Sequence, residues 1–379
     1  MSKGIQEQKL GILGGGQLGR MLIQSALDFN IDAKILDPDP DAPCKSLVAD
    51  FVVGKLTDFD TVYNFGKNCD LITIEIENVN TDALKKLQKE GVKVFPQPNV
   101  VELIKDKRIQ KQFYLDHNIP TAEFILTENK LEVMANKGFL PAVNKLGTEG
   151  YDGRGVQIIR TADDLEKAFD APGLLEKLID FETEISVIVA RNEKGEVTSF
   201  PAVELKYHPE ANLVEYLFSP ANITKETEEE AQRVAKSVIN KLEMVGLLAV
   251  EMFVTKDQKI LVNEVAPRPH NSGHQTIEAN YTSQYEQHLR AIFNLPLGNT
   301  EMILPSAMVN LLGEEGYTGI AKYEGLEEVM SLRGTHVHLY GKKNTKPFRK
   351  MGHVTVRGED VGQLKNTVDF VKNTLKIKA

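Results

Sequence analysis

Two glutamates lie inside runs that should be apolar strands. Ala249-Val250-Glu251-Met252-Phe253 and Leu261-Val262-Asn263-Glu264-Val265 each carry one carboxylate. If Asp257 and Gln258 form a two-residue turn, Lys256 opposes Lys259 and Glu251 opposes Glu264. Carboxylates about 5 Å apart repel by roughly 3 kcal/mol at an effective dielectric of 20, and opposed like charges destabilise a ladder. A hard divalent cation between them would offset that cost, with Asn263 as a further oxygen donor. The competing reading is a longer loop that shifts the register and gives each glutamate its own lysine.

The segment from Lys145 through Gly147, Gly150, Tyr151, Asp152, Gly153, Arg154, Gly155 and Val156 is rich in glycine and lies between two apparent strands. Such a hairpin can fold its amides over a polyphosphate while Lys145 supplies a point charge, although an ordinary flexible hairpin has the same composition. No Gly-Lys-Ser/Thr ends it, so it is not a P-loop. The apolar connector Leu174-Leu175-Glu176-Lys177-Leu178-Ile179, followed by Glu184, suits an adenosine: backbone groups for the base edge and a carboxylate for the ribose hydroxyls. A solvated strand face shows the same pattern.

Gly14-Gly15-Gly16-Gln17-Leu18-Gly19 fits G-x-G-x-x-G after a strand, and Asp37 stands where a dinucleotide fold would place its ribose-binding acid. The physical content is narrower, since glycines let amides approach any anion at a helix N-terminus. Dinucleotide binding, another anionic ligand and simple packing all remain open for this loop. His270 and His274 are four apart, a metal-ligand spacing on a helix, but Pro269 and Gly273 favour a substrate loop. Lys342, Lys343, Lys346, Arg349 and Lys350 crowd into one short stretch, as a solvated turn or an anion clamp.

These residues need a scaffold, and the hydrophobic pattern describes one. Leu10 to Leu13, Ala33 to Leu36, Phe51 to Val53, Leu71 to Ile74 and Val92 to Phe95 read as strands, with helices such as Leu18 to Phe29 and Thr81 to Glu90 between them. That is a parallel α/β sheet. A helix over Lys107 to His117 leads into strands from Glu123 to about Pro220, where antiparallel pairing is expected. A long helix bearing Ala231, Val234, Ala235, Val238, Ile239 and Leu242 follows, with a Thr227/Glu230 capping box before it and Gly246 after it. Further strands are expected near Ala307 to Leu312, His336 to Tyr340 and His353 to Val356, and a final helix on Val361, Leu364, Val368, Val371 and Leu375.

At 379 residues the chain predicts two to three domains. Net charge of −9 argues against nucleic acid or an anionic membrane as partner, so any anion site is local. Cys44 and Cys69 are too few for a disulfide scaffold and lack zinc spacing, which fits a reduced cytoplasm. No run of 18 apolar residues exists, and the polar start has no signal-peptide pattern.

Gly-Gly-Gly-Gln-Leu-Gly-Arg-Met (14 to 21), Glu75-Ile76-Glu77, Gly150 to Gly155, and Asn263-Glu264-Val265-Ala266-Pro267-Arg268-Pro269-His270-Asn271-Ser272-Gly273-His274 occur in this order. The combination resembles the ATP-grasp superfamily, and within it the N5-carboxyaminoimidazole ribonucleotide synthetases of purine biosynthesis. The resemblance implies a Rossmann-like parallel sheet over 1–100, an ATP-grasp domain of two subdomains over 101–296 with its glycine-rich flap subdomain at about 122–180, and a small C-terminal α+β domain over 297–379. It implies ATP-dependent carboxylation of 5-aminoimidazole ribonucleotide by bicarbonate, with Mg2+ or alternatively Mn2+, in a cytoplasmic homodimer.

The resemblance also assigns residues. Lys107, Lys145, Gly150, Tyr151, Asp152, Gly153, Arg154, Gly155, Val156, Glu176, Lys177, Leu178, Ile179, Glu184, His208, Asn263 and Glu264 would hold ATP, and Glu251 with Glu264 the metal. Asp152, Arg154, Arg268 and His270 would serve catalysis. Gly16, Gln17, Leu18, Glu75, Tyr151, Asn271, Ser272, Lys342 and Arg349 would hold the ribonucleotide. The rivals are a formate-dependent phosphoribosylglycinamide formyltransferase of the same superfamily, and an NAD-dependent oxidoreductase built on Gly14 to Gly19 and Asp37. The oxidoreductase leaves Glu251, Glu264 and the second glycine segment without roles.

Overall fold

A computed structural model describes residues 4–148, 155–209 and 213–379. The first apolar runs form strands β1 (Lys9–Leu13), β2 (Asp32–Asp37), β3 (Asp50–Val53), β4 (Leu71–Ile74) and β5 (Lys93–Val94). All pair in parallel, in the order β3-β2-β1-β4-β5. Leu10, Ile12, Leu13, Ile35, Leu36, Leu71, Ile72 and Ile74 are buried, as strands covered by helices on both faces require. The chain departs from central β1 toward β2 and, later, toward β4 on its other side. The glycine loop after β1 therefore opens at a topological switch point, where open α/β sheets bind ligands.

The helix Lys107–Asp116 leads into a four-stranded antiparallel sheet of β6 (Phe124–Thr127), β7 (Ala142–Leu146), β8 (Val156–Ile159) and β9 (Gly173–Lys177), ordered β6-β9-β7-β8. The β7–β8 hairpin is the predicted glycine-rich flap. Its residues Glu149, Gly150, Tyr151, Asp152, Gly153 and Arg154 lie outside the described residues.

A larger antiparallel sheet follows, with β10 (Phe181–Arg191), β11 (Val197–Ser199), β12 (Val203–Tyr207), β13 (Val214–Ser219), β14 (Gly246–Thr255), β15 (Ile260–Ala266) and β16 (Ser306–Leu312). Its order is β15-β14-β10-β12-β13-β16, β11 pairs with β10, and strands Lys350–Arg357 and Thr335–Leu339 extend it beyond β16. The C-terminal strands thus continue the sheet that carries the two glutamates. Ala231, Val234, Ala235, Val238 and Ile239 of the helix Lys225–Lys241 pack against Val187, Val189, Leu248 and Val250.

That helix starts one turn earlier than the capping box predicts. Thr224 is the N-cap, its hydroxyl accepting from the Thr227 amide at 3.2 Å, while Thr227 is buried and bonds Gln258. The first turn, Lys225 to Glu229, is mostly charged, so apolar periodicity carried no mark of it. At the far end Glu243, with φ of 48°, takes the left-handed turn after the helix, and Gly246 opens β14.

The helix Gln284–Ile292 docks the larger sheet onto the first one, with Tyr285, Leu289 and Ile292 sharing a core with Leu10, Ile12 and Leu22. Among the described residues, no helix is long and apolar enough to cross a membrane. His288 lies inside this junction, 2.8 Å from the Thr73 hydroxyl, and burial pulls its imidazole down to about 3. The unfolded chain therefore binds a proton between about pH 3 and 6.5 that the folded chain refuses, so this stability is lost as pH falls through 6.5. Chemical denaturation should show stability falling by about 1.4 kcal/mol per pH unit below pH 6 from this group alone. His288→Gln should flatten the slope by one proton, and an unchanged slope would contradict the assignment.

Candidate active site

Glu251 and Glu264 do face each other across β14 and β15, through two departures from the simple hairpin that cancel. The turn has three residues, not two: the Thr255 amide donates to the Lys259 carbonyl at 2.9 Å, and Gln258 adopts a positive φ of 62°. This moves the register by one, so Val254 opposes Ile260 and Met252 opposes Val262. Asn263 is then an extra residue in β15, and this bulge returns Glu264 to a position opposite Glu251. Bulges re-aim side chains, and here Asn263 and Glu264 both reach lysines across the cleft.

Lys107 and Lys111, one turn apart on their helix, supply the opposing charge from one face. Lys107 Nζ lies 2.6 Å from Glu264 Oε2, and this ammonium holds the Glu264 carboxyl down to about 2. Burial pushes the Glu251 carboxyl well above the usual range, and the neighbouring Glu264 and Glu184 push it the same way. Lys145 Nζ donates to Asn263 Oδ1 at 2.9 Å and pairs with Glu176 Oε2 at 2.6 Å. Glu184 Oε1 accepts from the Tyr207 hydroxyl at 3.0 Å, and burial pushes its carboxyl up to about 7. Four glutamates thus meet three lysines in one connected cluster.

Among the described residues no group of three or more His, Cys, Asp or Glu is arranged to cage a metal. Two facing carboxylates with hard oxygens nevertheless fit Mg2+, which takes its remaining ligands from phosphates and water. The raised Glu251 carboxyl marks the negative charge such a cation would neutralise.

Around this cluster the loop after β15 holds the remaining candidates. His270 Nε2 is 3.7 Å from Glu251 Oε1, and its Nδ1 meets the Ser272 hydroxyl at 2.9 Å, which in turn contacts Ser186. His274 points elsewhere, fully buried with its Nδ1 on the Tyr285 hydroxyl, so the two histidines share no helix face. Asn271 exchanges amide bonds with Asn310 at 2.8 and 2.9 Å. Arg268 Nε pairs with Glu77 Oε1 at 2.9 Å and so ties this loop to the first sheet.

The first glycine loop forms a second group. Glu75 accepts from the Gly16 and Leu18 amides at 2.5 and 3.1 Å, and Asp37 accepts from the Gly15 amide at 2.6 Å. The amides that would cradle a pyrophosphate are thus taken by the protein's own carboxylates, which removes the basis for the dinucleotide reading. A Cβ on Gly16 would fall 2.4 Å from Glu75 Oε1, so glycine is needed for this approach. Lys342 Nζ reaches Gln17 Oε1 at 2.7 Å, bringing the C-terminal segment over the same loop.

Other candidates sit less simply. Glu176 is buried between Lys111 and Lys145, with 2% of its surface exposed, so its carboxylate serves lysines. Lys177 Nζ bonds the Phe139 carbonyl, and the Leu178 amide bonds the Pro141 carbonyl. Ile179 lies in the short link from β9 to β10, while Val156 opens β8 and Gly155 precedes it. His208 packs edge-on against Phe348, and Arg349 donates to the Asn344 carbonyl at 2.7 Å. Sequence reasoning missed Lys111 and Tyr207. The spacing of Lys107 and Lys111 pointed to the first; nothing marked the second.

Three family models match in chain order: the ribonucleotide synthetase preATP-grasp domain at residues 7–105, the ATP-grasp domain at 112–285, and the phosphoribosylaminoimidazole carboxylase C-terminal domain at 306–367. With the two-sheet cleft, they define an ATP-grasp protein. The N5-carboxyaminoimidazole ribonucleotide synthase of Bacillus subtilis is 37% identical over 353 residues, covering 91% of this chain and 90% of that protein. The crystal structure of the synthetase from Thermotoga maritima superposes with a TM-score of 0.91 at 42% identity, covering 98% and 99% of the two chains. That of the Aspergillus clavatus synthase, solved with ADP and 5-aminoimidazole ribonucleotide, gives 0.88 at 33% identity, covering 97% and 98%. The chain belongs to the N5-carboxyaminoimidazole ribonucleotide synthase family.

Glu264→Gln keeps the side chain's shape and removes its charge. It should lower ATP turnover by about two orders of magnitude with the thermal midpoint little changed. Near-normal turnover at saturating magnesium would sink the metal assignment.

Proposed function

We infer that this protein joins bicarbonate to the amine of 5-aminoimidazole ribonucleotide at the expense of ATP, in purine biosynthesis, yielding the N5-carboxylated ribonucleotide, ADP and phosphate. The observation that carries this reading is the Arg268–Glu77 ion pair, which joins the loop after β15 to the segment after β4, whose Glu75 bonds the switch-point loop. An activated one-carbon acid made at the first need travel only a short way to an amine held at the second. We retain 1–100, 101–296 and 297–379 as the functional divisions.

Lys107 and Lys145 bind the ATP phosphates, the link from Glu176 to Ile179 offers backbone groups to adenine, and Glu184 accepts from the ribose hydroxyls. Asn263 and His208 border the nucleotide. Glu251 and Glu264 would hold Mg2+, which when bound would supply positive charge to the migrating phosphoryl group. A bicarbonate oxygen, oriented by Arg268, attacks the γ-phosphorus; ADP leaves and carboxyphosphate forms. The aminoimidazole amine then attacks the carboxyl carbon, phosphate departs, and Asp152 takes the amine proton. Carboxyphosphate decomposes rapidly in water, so closure of the Gly150 to Val156 flap, with Tyr151 and Arg154, precedes transfer. Gly16, Gln17, Leu18, Glu75, His270, Asn271 and Ser272 surround the ribonucleotide, and Lys342 with Arg349 takes its phosphate. The family likeness supports a homodimer, and two buried free thiols, Cys44 and Cys69, support a cytoplasmic setting.

ADP release should require bicarbonate together with aminoimidazole ribonucleotide, and formate should not replace bicarbonate. Formate-dependent release with phosphoribosylglycinamide would instead select the formyltransferase reading.

A further inference from the structure

Lys111 is a lysine with 2% of its surface exposed, placed by the helix Lys107–Asp116 beneath the nucleotide cleft. A buried ammonium costs desolvation free energy that only close pairing offsets. Its partners are few and specific. Lys111 Nζ lies 2.5 Å from Glu176 Oε1, and the other oxygen of the same carboxylate lies 2.6 Å from Lys145 Nζ. One carboxylate is therefore shared between two lysines. Lys111 also donates to Thr121 Oγ1, which donates in turn to the Val262 carbonyl of β15, next to Asn263. Asn263 is the second support of Lys145.

One support of Lys145, Glu176, is thus shared with Lys111, and the other, Asn263, follows the Val262 carbonyl that Lys111 reaches through Thr121. A carboxylate paired with Lys145 alone would neutralise it; a carboxylate divided between two ammonium groups orients it and leaves net positive charge for an anion. We propose that Lys111 is a positioning residue for ATP binding, sharing the Glu176 carboxylate so that the Lys111–Glu176–Lys145 group keeps net positive charge toward the phosphates and Lys145 keeps its orientation. It touches no substrate. The proposal rests on the assignment of Lys145 to ATP and would be meaningless without it.

The test is ATP affinity by calorimetry, beside the Michaelis constant for aminoimidazole ribonucleotide and the thermal midpoint. The wild-type protein must bind ATP; if it does not, the functional reading fails before this one is addressed. Lys111→Met should weaken ATP binding by about tenfold, while the ribonucleotide constant stays within about twofold. Lys111→Arg, which keeps the charge that shares Glu176, should hold ATP affinity to within about threefold of wild type. A folded Lys111→Met with unchanged ATP affinity would overturn the proposal. If Lys111→Met fails to fold, Lys111→Gln decides: a loss of about tenfold supports the proposal, and affinity near wild type overturns it.

Discussion

The structure turns on two carboxylates facing each other from adjacent strands. Glu251 and Glu264 repel, and burial makes their repulsion worse, so everything around them works to hold that charge in place. Lys107 takes Glu264, the bulge at Asn263 turns both residues of β15 toward the cleft, and His270 stands beside Glu251. Without a cation the pair is a strained arrangement, with Glu251 driven toward its protonated form. A divalent cation between them would relieve that repulsion and could anchor a polyphosphate.

The same economy of charge governs the switch point of the first sheet. A glycine loop at a helix N-terminus attracts anions, and here the anions are Asp37 and Glu75 of the chain itself. Burial raises the Glu75 carboxyl, while amide donors from Gly16 and Leu18 pull the other way. The result is a rigid polar floor rather than a pyrophosphate cradle. Lys342 then closes over it from a segment more than three hundred residues away in sequence, and Arg268–Glu77 links the floor to the cleft.

Strand and helix order were largely legible because each element follows its own periodicity, from the parallel β1 to β5 to the final helix Val361–Thr374. The facing glutamates were legible for a reason that was only partly right: a two-residue turn predicts the pair, and the real three-residue turn reaches it by way of a bulge. Bulges and caps depend on backbone geometry that residue type only weakly constrains, which is also why Thr224 rather than Thr227 caps its helix. Glu176 shows a deeper limit. An acid at the end of an apolar strand can face a ligand or a buried lysine, and only the fold, which brings helix, β7 and β9 together, distinguishes these. The ligand roles came through resemblance and not through spacing.

The central claim is that the two facing carboxylates form a cation site completed by the nucleotide. Manganese binding, followed by electron paramagnetic resonance with and without a non-hydrolysable ATP analogue, addresses it directly. The account predicts that the analogue tightens manganese binding by about tenfold or more in the wild-type protein, and that Glu251→Gln abolishes this enhancement. An enhancement of the same size in Glu251→Gln would place the metal elsewhere and contradict the account.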